Sequence, residues 1–127
     1  MVDPGPPVRH RVVFDLAVSE PGSFQALLRN VANLRQALGP EGLEVRVVAY
    51  AGGLDLLLTP PGDLASQVDR LIGEGVGFYA CQNSLRARRV GPQDLRPGSG
   101  TVDSGVAELV RLQERGFSYL KVASYPA

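Results

Sequence analysis

The sequence predicts an α/β fold around a mainly parallel, five-stranded sheet. Short, nearly continuous apolar runs alternate with helical patterns along the chain. Such runs suit strands covered on both faces, as in a parallel sheet. Their order, β-α-β-α-β-α-β-α-β, is that of parallel crossover units.

The first strand is Arg11 to Leu16, with Val12, Val13, Phe14 and Leu16. In the helix that follows, Phe24, Leu27, Leu28, Val31, Leu34 and Leu38 keep helical spacing. Ser23 is placed to cap it and Gly39-Pro40 to stop it. The second strand is Leu43 to Ala49, carrying Val45, Val47 and Val48. Asp63 is placed to cap a helix of Leu64, Val68, Leu71 and Ile72, ended by Gly73 or Gly75. The third strand is Val76 to Cys81. Asn83 and Ser84 then read as caps of a short helical segment that meets Gly91-Pro92. Gly100 to Asp103 is a short fourth strand. Ser104 caps a helix of Val106, Leu109, Val110 and Leu112 that ends at Gly116, and Tyr119 to Ala123 is the fifth strand. Met1 to Pro7 reads as a flexible arm and Ser124 to Ala127 as a tail, leaving one domain, residues 1–127, with its core at about 8–122.

The chain's 127 residues suit a single domain with a sizeable core, and 44% hydrophobic content is too high for a disordered chain. Thirteen basic residues balance thirteen acidic ones, which argues against wholesale attraction to nucleic acid. The N-terminus lacks the apolar centre of a signal peptide, and no apolar run approaches a membrane span. One cysteine cannot form an internal disulfide. The expectation is a reducing, cytoplasmic setting with neither membrane nor nucleic acid as partner.

That cysteine, Cys81, is the residue on which chemistry centres. It lies between the carboxyl end of a strand and the start of a helix. Free amides at a helix start favour an anion, and the thiolate is the reactive form of cysteine. A helix terminus lowers a thiol of pKa about 8.5 by about one unit, giving roughly a quarter thiolate at pH 7. Arg86, in the first helical turn, can add to this, whereas apolar burial opposes it. The competing reading is a packing role, because free cysteine is often a small buried hydrophobe.

Other chemistries fare worse. A single histidine, His10, and a single distant cysteine do not make a zinc site. No glycine-rich phosphate loop is present, so no cofactor is expected. Ala51-Gly52-Gly53 can let a backbone approach a ligand, although glycine pairs usually mark turns. Cys81 and Arg86 bracket four residues where a cysteine phosphatase has five. Asn30 flanks the apolar stripe of the first helix and is placed to reach a site or a subunit contact, while Asn33 lies on its polar side. Glu108 complements the dipole of its helix. In a flavodoxin-like strand order the first and third strands are neighbours, which sets Cys81 beside the loop Val18-Ser19-Glu20.

Several stretches together resemble the DsrE/DsrF-like family of intracellular sulfur oxidation. They are Arg29-Asn30-Val31-Ala32-Asn33-Leu34, Val47 to Leu57, Gly77-Phe78-Tyr79-Ala80-Cys81-Gln82-Asn83-Ser84-Leu85, Asp94-Leu95-Arg96-Pro97-Gly98 and Ser104 to Gln113. They span most of residues 9–122. The resemblance implies a flavodoxin-like three-layer sandwich and a homo-oligomer, often a trimer or hexamer. It also implies a sulfur carrier or sulfurtransferase in which Cys81 holds sulfane sulfur as a persulfide and exchanges it with donor and acceptor proteins. Asn83, Ser84, Arg86, Asn30, Gly52 and Gly53 are then the expected site-lining residues. A small-molecule or anion-binding oligomer and a thiol redox sensor are the alternative functions.

Overall fold

A computed structural model of the chain describes residues 7–122. The expected arm, apart from Pro7, and the tail lie outside them, as does Ala123 of the fifth strand. Five strands, β1 (His10–Leu16), β2 (Leu43–Ala49), β3 (Gly77–Cys81), β4 (Gly100–Val102) and β5 (Ser118–Lys121), form one sheet in the order β4-β3-β2-β1-β5. Every pairing is parallel. The helices are α1 (Pro21–Leu38), α2 (Asp55–Leu58), α3 (Leu64–Gly73), α4 (Gln82–Arg88) and α5 (Gly105–Glu114).

Side chains alternate across the sheet and divide the core in two. On one face Phe14, Leu16, Val45, Val47, Phe78 and Ala80 meet Phe24, Leu27 and Val31 of α1, Val68 of α3 and Leu85 of α4. On the other, Val13 and Val48 meet Leu109 and Leu112 of α5, with Phe117. Phe14, Phe24 and Phe78 are at most 1% exposed, each contributing about 1.5–3 kcal/mol by burial. The chain winds from β1 to β4 in one direction and then returns to the far side of β1 for β5. Right-handed crossovers put the helix of that return on the opposite face, which is why α5 stands apart from α1 and α3.

The three-layer α/β class matches the sequence reading, but the adjacency of the first and third strands does not. β2 lies between them, because each crossover places its strand one position further from β1. Two helix starts also differ. Glu20 holds the N-cap position of α1; Pro21, with its preset φ, opens the helix ahead of Ser23. Ser23 is buried inside the first turn and donates to Glu20 Oε2 at 3.1 Å. At α4 the cap position belongs to Cys81, so Asn83 and Ser84 fall in the first turn. Asp63 occupies its cap position without a side-chain bond, whereas Ser104 caps α5 by accepting from the Ala107 amide at 3.2 Å. The tight turn Ala51–Leu54 and the short α2 were not resolved as elements in the sequence reading.

Candidate functional site

Cys81 ends β3 and starts α4, on the α5 face of the sheet, opposite Val102 of β4 in register. It is 5% exposed. Burial by itself pushes the thiol up. The amide of Gly105, the amide and hydroxyl of Ser84 and the amide of Asn83 outweigh that and hold it below its usual value. These donors come from the starts of two helices, α4 and α5. The first is visible in the sequence; the second is not, because only the adjacency of β3 and β4 brings Gly105 to the sulfur. The Ser104 cap was the available signal, since it marks where those amides begin.

Ser84 also accepts a hydrogen bond from the Ala51 amide at 2.9 Å. The same hydroxyl is among the groups that lower the Cys81 thiol. The turn is held in place by Arg88, which donates to the Ala51 carbonyl at 3.0 Å and pairs with Asp55. Asp55 also accepts from Ser19. Arg88 first, and then Ser19, keep that carboxyl below its usual range.

Gly52 and Gly53 allow this turn to pack closely. A Cβ on Gly53 would lie 2.0 Å from the Leu16 carbonyl oxygen, and one on Gly52 2.9 Å from the Ser19 nitrogen. The β1–α1 loop therefore meets the Ala51–Leu54 turn directly and does not sit beside Cys81 as the flavodoxin-like order implied. The turn stands between them, as β2 stands between β1 and β3.

Arg86 is exposed and donates to the Asn83 carboxamide; the groups that lower the thiol against its burial are amides and one hydroxyl. Asn30 faces the other side of the sheet. With Phe14, Asn33, Leu34, Leu120 and Lys121 it lines a cavity of about 380 Å³ between α1 and β5. The structure thus gathers Cys81, Asn83 and Ser84, with Gly52 and Gly53 one contact behind, and separates Asn30 from them. Among the described residues no group of three or more His, Cys, Asp or Glu could hold a metal ion, and no helix is long and apolar enough to cross a membrane.

Fold and site together define a three-layer α/β protein with a buried cysteine, its thiol lowered, at the carboxyl end of an inner strand. The model of the DsrE/DsrF-like family matches residues 11–122, and the chain belongs to that family. A protein of unknown function from Methanobacterium thermoautotrophicum, MTH1491, is similar at 36% identity and a TM-score of 0.83, covering 89% of this chain and 99% of its own. The ychN protein of E. coli shares the fold at 18% identity and a TM-score of 0.72, covering 89% and 99%. BT1422 of Bacteroides thetaiotaomicron, a conserved protein of unknown function, does so at 12% identity and 0.71, covering 88% and 94%. No curated protein matches the chain.

Proposed function

We propose that this protein is a sulfur-relay carrier that holds sulfane sulfur as a persulfide on Cys81. The observation that carries the reading is the convergence of four donors from two helix starts on the chain's only cysteine. Family membership supports it.

In the loading step the Cys81 thiolate attacks the outer sulfur of a persulfide donor. A bond forms from Cys81 Sγ to that sulfur, the donor's S–S bond breaks, and the electron pair departs on the donor thiolate. No external oxidant or reductant is needed. In unloading, an acceptor thiolate attacks the same outer sulfur and Cys81 leaves as thiolate. The donors that lower its pKa also make it a better leaving group. A single cysteine suits a carrier, since no second thiol in the chain can displace the cargo as an internal disulfide.

The proposal includes a homo-oligomer, a trimer or hexamer, working with donor and acceptor proteins in a reducing cytoplasm. Sedimentation at micromolar concentration tests the assembly, and a monomer alone contradicts it.

Intact mass spectrometry after incubation with an inorganic polysulfide tests the loading, beside a Cys81→Ser control. The expected result is a gain of one sulfur on the wild type only, removed by reductant. No gain on a free, unoxidised Cys81 would overturn the carrier reading in favour of a binding protein.

A further inference from the structure

Polar side chains from four neighbouring strands form a row on the α5 face. Across β3-β2-β1-β5 these are Cys81, Tyr50, Asp15 and Tyr119. Tyr50 directly follows Ala49, which pairs with Ala80 in register, so Tyr50 and Cys81 are the next positions along adjacent strands.

The contacts along this row are specific. Tyr119 donates from its hydroxyl to Asp15 Oδ2 at 2.6 Å. The other oxygen, Asp15 Oδ1, is buried without a closed hydrogen bond, and the Tyr50 hydroxyl faces the same carboxylate. At its other end Tyr50 packs against Gly105. A Cβ there would lie 3.1 Å from Tyr50 Cβ and Cδ1 and 3.2 Å from Cγ, so ring and glycine backbone are in close contact. Gly105 is the first residue of α5, and its amide is the largest favourable influence on the Cys81 thiolate.

We infer that Tyr50 is a positioning residue for the sulfur site: with its hydroxyl facing the Asp15 carboxylate that Tyr119 also binds, its ring packs against the start of α5 and keeps the Gly105 amide on Cys81. Orientation matters here because an amide stabilises a thiolate only while it points at the sulfur. The tyrosines remain neutral throughout the physiological range. Burial and then Asp15 raise Tyr50, and Asp15 first raises Tyr119 to about 12.

The charged groups around the row are otherwise engaged or exposed. At the start of α5, Asp103 and Glu108 pair with Arg111. On α4, Arg86 is turned to Asn83 and Arg88 to Asp55. Arg46 on β2 pairs with Glu44, and Lys121, opposite Asp15 in register, is exposed.

The inference rests on the proposed sulfur chemistry but is tested separately, by the pH profile of Cys81 alkylation. Tyr50→Phe keeps the ring and the net charge and removes only the hydroxyl that faces Asp15. Asp15→Asn is unsuitable, since deleting the carboxylate's charge would by itself favour the thiolate. Tyr50→Phe is expected to move the alkylation midpoint upward by about half a unit, a roughly threefold loss of thiolate at pH 7. Tyr119→Phe should move it the same way by less. Val106→Ala, on the outer face of α5, should not move it. An unchanged midpoint in Tyr50→Phe overturns the inference. If that variant does not fold by circular dichroism, an unchanged midpoint in Tyr119→Phe does so. Polysulfide loading of the wild type, measured in parallel, decides the carrier reading independently.

Discussion

The Ser84 hydroxyl accepts a hydrogen bond from the Ala51 amide at 2.9 Å and is among the groups that lower the Cys81 thiol. One side chain therefore ties the turn after β2 to the nucleophile at the end of β3. Ser84→Ala is expected to raise the alkylation midpoint of Cys81 and to cost about 1 kcal/mol, because the Ala51 amide loses its partner. Denaturant unfolding and alkylation across pH measure the two effects. Unchanged reactivity would show that the hydroxyl does not contribute.

The Cys81 thiol is lowered yet only 5% exposed. Small reagents are expected to gain more from the lowered thiol than bulky ones. Iodoacetamide should react faster with Cys81 than with free cysteine at pH 7, while a bulky aromatic disulfide should be relatively slower. Equal acceleration for both would mean that the sulfur is open to solvent.

Gly53 has no space for a side chain, its Cβ position being 2.0 Å from the Leu16 carbonyl oxygen. Backbone cannot yield as a side chain tip does. Gly53→Ala is expected to destabilise the fold by about 3 kcal/mol or more. Thermal unfolding checks this, and a loss below about 1 kcal/mol would contradict the packing described.

The alkaline limb of stability has a definite sign. Asp15 raises Tyr119 to about 12, and Tyr50 is raised in the same direction, first by burial. A raised group stabilises fully below its unfolded pKa, about 10 for tyrosine, and that stability is lost as pH rises through the folded value. Stability should therefore fall between about pH 10 and 12, and less steeply in Tyr119→Phe. Cys81, lowered, works in the opposite sense: its contribution is present above the unfolded thiol pKa and fades as pH falls through the folded value. Urea midpoints of both proteins across this range test the assignment, and identical profiles would contradict it.

Much of the architecture was legible because periodicity reports burial. The runs around Phe14, Val47 and Phe78 are apolar on both faces because helices cover both, and β2 lies at Leu43–Ala49, where the sequence placed it. Cys81 was legible as a strand end meeting a helix start. Strand order was not, since local pattern carries no information about which strands lie side by side. That gap placed the β1–α1 loop beside Cys81 and hid Gly105. Asp15, Tyr50 and Tyr119 were missed for the same reason: the row exists only once β5 returns beside β1. Asn30 flanks the stripe of α1 as read, but the opposite face of the sheet removes it from the thiol.

The central claim is that Cys81 is held as a thiolate by donors from two helix starts. Because the chain has one cysteine, the ultraviolet absorbance of the wild type minus that of Cys81→Ser isolates one thiolate titration. A midpoint clearly below about 8.5 is the expected result. A midpoint at or above that value would show that burial dominates, and the cysteine would be a packing residue instead.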